Sequence, residues 1–129
     1  MSDLTKILHV DDDDDIRQIA LVSLEVVGGF NVHQCSSGKQ ALDEAEAFAP
    51  DLLLLDVMMP EMDGIETWQH LIAKESLAKT PAIFMTAKAE DSTSKKLLDS
   101  GAIAVITKPF DPMQLADQLR KAWNDYFAS

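Results

Sequence analysis

The segment Pro50-Asp51-Leu52-Leu53-Leu54-Leu55-Asp56 is the clearest indication of the fold class of this chain. Its four consecutive leucines show no polar alternation, which is typical of a strand in a parallel sheet that is covered on both faces. Leucine is also a good helix former. The run is short, however, and the flanking Pro50-Asp51 and Asp56 favour a strand over a helix. This pattern predicts a central, buried strand that delivers an aspartate to its carboxyl end.

Similar short apolar runs recur along the chain, and amphipathic stretches separate them. The predicted strands are residues 7–10, 30–35, 52–55, 82–85 and 102–106. The predicted helices are residues 16–27, 39–48, 65–74, 92–100 and 112–127, with Gly28-Gly29 ending the first and Asp13 or Asp14, Ser37 and Asp111 as N-caps. Strict alternation of strands and helices predicts an α/β fold, a doubly wound parallel sheet with right-handed crossovers.

Length and charge limit the possible functions. The 129 residues match one ordinary domain, and no linker or repeat divides them, so we expect a single domain over residues 1–129. The net charge of −11 argues against nucleic acid and against an anionic membrane as the primary partner. Residues 1–64 carry 14 acidic and 3 basic side chains, so the whole excess lies in the first half.

Cysteine usage and hydropathy suggest a location. Cys35 is the only cysteine, which suits a reducing compartment, and we interpret it as a small, buried apolar side chain. No apolar run reaches the length of a membrane span, and the N-terminus lacks the layout of a secretion signal. We therefore expect a cytoplasmic protein. The three histidines, His9, His33 and His70, share no ligand spacing, which argues against a histidine metal site.

Polar residues follow the predicted strands, and the carboxyl ends of parallel strands meet at one edge of a sheet. Asp11 and Asp12 follow the first strand, Asp56 the third, Thr86 the fourth and Lys108 the fifth. Carboxylates without histidine or cysteine suit a hard cation, Mg²⁺ more than zinc. A phosphoryl group would engage the metal, the Thr86 hydroxyl and the Lys108 ammonium, with Asp56 as nucleophile. The remaining aspartates, residues 13–15, are interpreted as the start of the first helix, where negative charge is favoured.

Four segments together resemble the response-regulator receiver domain of bacterial two-component signalling: residues 7–12, 56–64, 85–87 and 106–110. The resemblance covers essentially the whole chain and implies a flavodoxin-like (βα)5 fold with strand order 2-1-3-4-5. It implies that Asp56 is the phosphoacceptor and that Thr86 and Lys108 hold the phosphoryl group. It further implies a cis Lys108–Pro109 bond and a Mg²⁺ site formed by Asp11 acting mainly through water, Asp12, Asp56 and the Met58 carbonyl.

The same resemblance implies a phosphorylation-dependent switch and not an enzyme. Its only chemistry would be its own slow, Mg²⁺-dependent phosphorylation and dephosphorylation. The phosphodonor would be a phosphohistidine on a histidine kinase or a histidine phosphotransfer protein. A downstream protein would bind the face of helix 4, strand 5 and helix 5, and the chain would be a monomer or a phosphorylation-dependent dimer. Met58 and Lys88 occupy the positions that set the rate of dephosphorylation in such domains. The chain departs from many receivers at Val105, where an aromatic switch residue would stand.

Two other functions compete with this interpretation. A phosphatase of the haloacid-dehalogenase type also uses an aspartyl nucleophile and Mg²⁺, and Asp11-Asp12-Asp13 satisfies its aspartate spacing. The chain lacks the cap insertion and the later acidic pair of that class. The second alternative is a metal-bound interaction module that is never phosphorylated.

Overall fold

The leucine run forms the middle strand of a five-stranded parallel sheet, in a computed structural model that describes residues 3–87 and 92–128. The strand order is β2-β1-β3-β4-β5, as expected. The strands are β1 (Lys6–Val10), β2 (Asn31–Cys35), β3 (Leu52–Asp56), β4 (Ala82–Thr86) and β5 (Ala104–Thr107). The helices are α1 (Asp14–Leu21), α2 (Gly38–Phe48), α3 (Gly64–Ile72), α4 (Ser92–Asp99) and α5 (Leu115–Ala128).

The sheet separates two hydrophobic layers, because alternate side chains of each strand point to opposite faces. Leu53 and Leu55 of β3 belong to the layer that includes Leu71 of α3, whereas Leu52 and Leu54 pack in the layer that includes residues of α1 and α5. All four leucines have no exposed surface. The prediction of a central strand covered on both faces is confirmed.

Side-chain caps start the first three helices. Asp13 accepts hydrogen bonds from the amides of Asp15 and Ile16 at 2.9 and 3.2 Å, and Ser37 caps α2 by accepting from the amide of Gln40 at 3.1 Å. These two predicted caps are confirmed. Asp63, which the sequence patterns did not single out, caps α3.

The start of the last helix was predicted wrongly. Residues 112–114 form a turn, and α5 begins only at Leu115. The Asp111 carboxylate accepts from the amide of Met113 at 2.9 Å, so its side chain closes this turn instead of capping α5 directly. The Asp111 carbonyl accepts from the amides of both Gln114 and Leu115, which leads the turn into the helix.

Other boundaries also differ from the prediction: α1 begins at Asp14 and α3 ends at Ile72, each two residues earlier than expected. After Leu21 the first helix continues as a π-helical segment over Val22–Val27, in which the amide of Gly28 donates to the carbonyl of Ser23 at 3.1 Å. Strand β5 is shifted to Ala104–Thr107. No helix within the two described ranges combines the length and hydrophobicity needed to cross a bilayer.

Candidate functional site

Two strands bring buried carboxylates together at the carboxyl edge of the sheet. Asp56 is the last residue of β3 and Asp11 directly follows β1, and both side chains are buried. Asp12 is exposed. Each of the three residues offers a carboxylate oxygen, and these oxygens lie within 4.8 Å of one another. The structure therefore assembles the three aspartates that the sequence assigned to a metal site.

Lys108 supplies a positive charge between the two buried carboxylates. Its Nζ lies 3.1 Å from Oδ2 of Asp11 and 3.2 Å from Oδ1 of Asp56. The Lys108 amide donates to the Thr86 carbonyl at 2.9 Å, which holds the end of β5 beside β4. The Lys108–Pro109 bond is cis, as the resemblance implies. The ammonium thus bridges residues that lie 97 and 52 positions away in the sequence.

Burial makes the Asp56 carboxyl unusually basic. Its removal from water and the nearby Asp11 carboxylate raise the pKa of Asp56 from 3.8 to about 6, against the opposing effect of Lys108. Burial alone would lower the pKa of Lys108, but Asp11 and Asp56 outweigh it and raise that pKa above its ordinary value. Asp56 is therefore largely ionised at neutral pH, beside a lysine that stays protonated.

An open cleft of about 670 Å³ gives access to this group. Among the described residues that line it, Lys108 is the one cation, and Met58 and Ala87 stand beside Asp56 and the aspartates of the 12–15 run. The Met58 side chain is 76% exposed. Thr86, at the end of β4, is half-buried and pairs with Thr107 of β5 in the sheet register. Lys88 lies outside the described residues.

The carboxylates of this cleft fit Mg²⁺ by their chemistry. They offer only oxygen ligands, which a hard cation prefers. Their total negative charge exceeds the single positive charge of Lys108, the one cation among the described residues that line the cleft. Asp11 and Asp56 are buried, so their mutual repulsion is poorly screened by solvent. A divalent cation would relieve this repulsion, and Asp11, Asp12 and Asp56 are the residues that would hold it.

Two supporting residues were not singled out in the sequence. Arg17 of α1 donates from Nη1 to the carbonyl of Asp11 at 2.6 Å, which ties the acidic loop to the first helix. Gly64 brings the start of α3 against β3, because its amide donates to the Val57 carbonyl at 2.9 Å. A Cβ at this glycine would stand 2.0 Å from the Asp56 carbonyl oxygen. An arginine six residues after an aspartate carries no recognisable signal in one sequence. Gly64 ends the segment 56–64 that carries the resemblance, but its close contact with the backbone of β3 is visible only in the structure.

Comparison with protein families gives a match over most of the chain. A family model described as the response regulator receiver domain matches residues 7–120. Among curated proteins, the regulatory protein AtoC of Escherichia coli (strain K12) is 39% identical over 111 residues, which is 86% of this chain and 23% of that protein. The chain spans between 23% and 48% of the length of three such relatives.

Solved structures show the same fold. The chemotaxis protein CheY4 of Vibrio cholerae superposes with a TM-score of 0.84 at 28% identity, covering 92% of this chain and 98% of that one. The receiver domain of the sensor histidine kinase PA1611 from Pseudomonas aeruginosa PAO1 gives a TM-score of 0.79 at 25% identity, covering 99% of this chain and 100% of that one. That structure holds a magnesium ion in its active site cleft.

Proposed function

Because this chain belongs to the response regulator receiver domain family, we propose that it is a switch that accepts a phosphoryl group on Asp56. One observation carries the proposal: the ionised Asp56 carboxylate lies at an open cleft, 3.2 Å from the Lys108 ammonium and beside two further carboxylates. Receiver domains are signalling switches and not classical enzymes, so we expect one phosphorylation per molecule and slow loss of the phosphoryl group.

In the proposed reaction, an Oδ atom of Asp56 attacks the phosphorus of a phosphohistidine. The P–N bond breaks, its electron pair remains on the imidazole nitrogen, and Asp56 becomes an acyl phosphate. Lys108, freed from its contact with Asp56, would pair with a phosphoryl oxygen, and the Thr86 hydroxyl would donate to another. Mg²⁺, held by Asp11, Asp12, Asp56 and the Met58 carbonyl, would supply charge neutralisation between the carboxylate and the phosphoryl oxygens.

The phosphodonor is proposed to be a histidine kinase or a histidine phosphotransfer protein. Support comes from the relatives, since the matched curated proteins are named as regulators and a matched structure is the receiver domain of a sensor histidine kinase. We further propose that residues 1–129 form one receiver domain, act in the cytoplasm and do not bind nucleic acid directly. The domain would be a monomer or a phosphorylation-dependent dimer.

The output surface is proposed to be the face of α4, β5 and α5. A groove of about 700 Å³ runs between β5 and α5, with Val105, Lys121, Ala122 and Tyr126 in its lining. The Tyr126 side chain is 46% exposed, which suits a binding surface for a downstream protein. Val105 is half-buried against the core and has no ring to rotate inward. The signal would therefore pass through a smaller repacking of Val105 or through helix movement.

The geometry disfavours the phosphatase alternative. That mechanism needs Asp13 as a second functional carboxylate two residues after Asp11, but the Asp13 side chain accepts from two amides as the cap of α1. Lys108 also contacts Asp56, a residue that has no place in the phosphatase scheme. The remaining alternative, a metal-bound module that is never phosphorylated, is distinguished from the proposed switch by a phosphorylation experiment.

The test is incubation with acetyl phosphate, with and without Mg²⁺, followed by intact-mass measurement and phosphate release. A switch is expected to gain the mass of one phosphoryl group, only when Mg²⁺ is present. Rapid release of phosphate from many donor molecules would indicate a phosphatase instead. Absence of any mass gain, with a phosphohistidine protein donor as well, would leave only the interaction module.

Met58 and Lys88 are proposed to prolong the phosphorylated state. The exposed Met58 side chain lines the cleft where an attacking water would enter. We expect Met58→Asn together with Lys88→Glu to shorten the phospho-Asp56 lifetime about tenfold, equivalent to about 1.4 kcal/mol in the barrier. The lifetime is measured by mass after donor removal. Lys39→Glu, on the exposed side of α2, controls for the charge change, and an unchanged lifetime in the double variant would refute the idea.

A further inference from the structure

A second cluster of potential metal ligands lies at the edge strand β2, apart from the acidic cleft. His33 and Cys35 are two residues apart on β2, so their side chains point to the same face of the sheet. Glu44 of α2 packs over that face, and each of the three residues offers a ligand atom within 4.8 Å of the others. His33 Nε2 and Glu44 Oε1 are only 2.6 Å apart. Tertiary packing thus provides the ligand grouping that the histidine spacing did not suggest.

The cluster is open to solvent on one side only. Cys35 is fully buried at its base, whereas the side chains of His33 and Glu44 are 39% and 40% exposed at its mouth. Neighbouring groups orient both outer ligands. The Phe48 ring lies 5.3 Å from the His33 imidazole, and the Gln40 amide donates to Glu44 Oε1 at 3.3 Å. A small cation could therefore enter from solvent and find a sulfur, a nitrogen and an oxygen already gathered.

The ligand set differs chemically from that of the acidic cleft. Thiolate and imidazole favour zinc over magnesium, which prefers oxygen. Tetrahedral zinc with ordinary bond lengths needs neighbouring ligand atoms about 3.3–3.6 Å apart. The 2.6 Å contact between His33 and Glu44 would have to open by less than about 1 Å, as the metal replaces the proton that they share. A water molecule would complete the coordination.

We propose that His33, Cys35 and Glu44 bind one zinc-like divalent cation, which links the edge strand β2 to α2. On binding, the Cys35 S–H bond breaks, its proton leaves to solvent and a sulfur–metal bond forms, without any redox change. The proton between His33 Nε2 and Glu44 Oε1 also leaves to solvent, which frees both atoms to bind the metal. Burial raises the pKa of the Cys35 thiol to about 12, so proton release adds a cost to binding. The amide of Asp11 donates to the Cys35 carbonyl at 3.1 Å, so the two sites are neighbours through the backbone. They share no ligand, and the proposal does not depend on the proposed function.

The experiment uses Co²⁺ as a spectroscopic probe and Zn²⁺ as its competitor, with Mg²⁺ in excess to occupy the acidic cleft. One equivalent of Co²⁺ is expected to produce a thiolate-to-cobalt charge-transfer band, which Zn²⁺ removes. Cys35→Ser should abolish this band. His33→Ala and Glu44→Gln should each weaken Zn²⁺ binding at least about tenfold, as loss of even an orienting contact around a metal costs that much.

His70→Ala removes a different exposed histidine, on α3, and serves as the matched control for His33→Ala. It should leave Zn²⁺ affinity unchanged. Circular dichroism of each variant verifies the fold, and the two surface variants keep the test decisive if Cys35→Ser is unstable. The proposal fails if wild-type protein shows no charge-transfer band, or if His33→Ala binds Zn²⁺ as tightly as His70→Ala.

Discussion

Replacement of Asp56 by asparagine is expected to abolish the Mg²⁺-dependent gain of one phosphoryl group, a loss of about a thousandfold or more in rate. Asparagine keeps the size of the side chain but has no carboxylate lone pair to attack phosphorus. It also weakens the contact with Lys108, whose Nζ lies 3.2 Å from Oδ1 of Asp56. The measurement is intact mass over time with acetyl phosphate, and with a phosphohistidine protein as a second donor.

Asp43→Asn is the matched control, since Asp43 lies exposed on α2 and is not among the residues that line the cleft. It should phosphorylate at the wild-type rate. If the Asp56→Asn protein still gained a single stable phosphoryl group, Asp56 would not be the acceptor, and peptide mapping would locate the true site.

The same substitution should stabilise the fold in Mg²⁺-free buffer. An unfolded Asp56 loses its proton near pH 3.8, whereas the folded residue keeps it to about pH 6. The folded state is therefore penalised as pH rises through this window, and the full penalty, about 3 kcal/mol, is present above pH 6. We expect Asp56→Asn to raise the free energy of unfolding by roughly 2–3 kcal/mol at pH 7.5 and by roughly 1 kcal/mol near pH 4.5. Urea titrations of both proteins at the two pH values check this. If the variant and the wild type differed in free energy of unfolding by the same amount at both pH values, the raised pKa of Asp56 would not be the cause.

Replacement of Gly64 by alanine should be the most damaging of the five possible glycine-to-alanine changes, at about 3 kcal/mol or more. The new Cβ would lie 2.0 Å from the Asp56 carbonyl oxygen and 2.8 Å from its carbonyl carbon. These are backbone atoms of a central strand, so they cannot rotate away as a flexible side chain would. Either α3 moves off the sheet or the end of β3 shifts, and phosphorylation of Asp56 should slow along with the loss of stability.

Gly29→Ala is the control for this prediction. Gly29 has a φ of +74°, but a Cβ there would meet nothing within 4 Å. Its cost is the conformational strain alone, about 1 kcal/mol. Urea unfolding of both variants separates the two effects, and equal losses would mean that the close approach at Gly64 is relieved at little cost.

Local patterns in the sequence were sufficient to predict the architecture and the residues that meet at the carboxyl edge of the sheet. The leucine run identified the central strand, because a strand covered on both faces needs apolar side chains at every position. The strict alternation of strands and helices fixed a parallel sheet. The residues that follow the strands of a parallel sheet meet at one edge, which predicts that Asp11, Asp12, Asp56, Thr86 and Lys108 lie near one another.

Helix boundaries were less predictable, because they depend on contacts beyond the local pattern. At Asp111, the sequence offered a good N-cap followed by proline, but the side chain closes a turn and the helix starts at Leu115. The spacing of apolar residues likewise does not predict the π-helical segment after Leu21, because that spacing is compatible with a regular α-helix.

How the residues of the site affect one another depends on the packing of the folded chain. The pKa of Asp56, the bridge made by Lys108, the backbone contact at Gly64 and the grouping of His33 with Cys35 and Glu44 all depend on distances of a few ångströms. The periodicity of apolar side chains involves residues that are close together in the chain, so it can be read from a single sequence. Charge interactions and burial, by contrast, involve residues that are distant in the chain. The strength of these interactions depends on the distance between the residues and on the exclusion of water, and packing sets both.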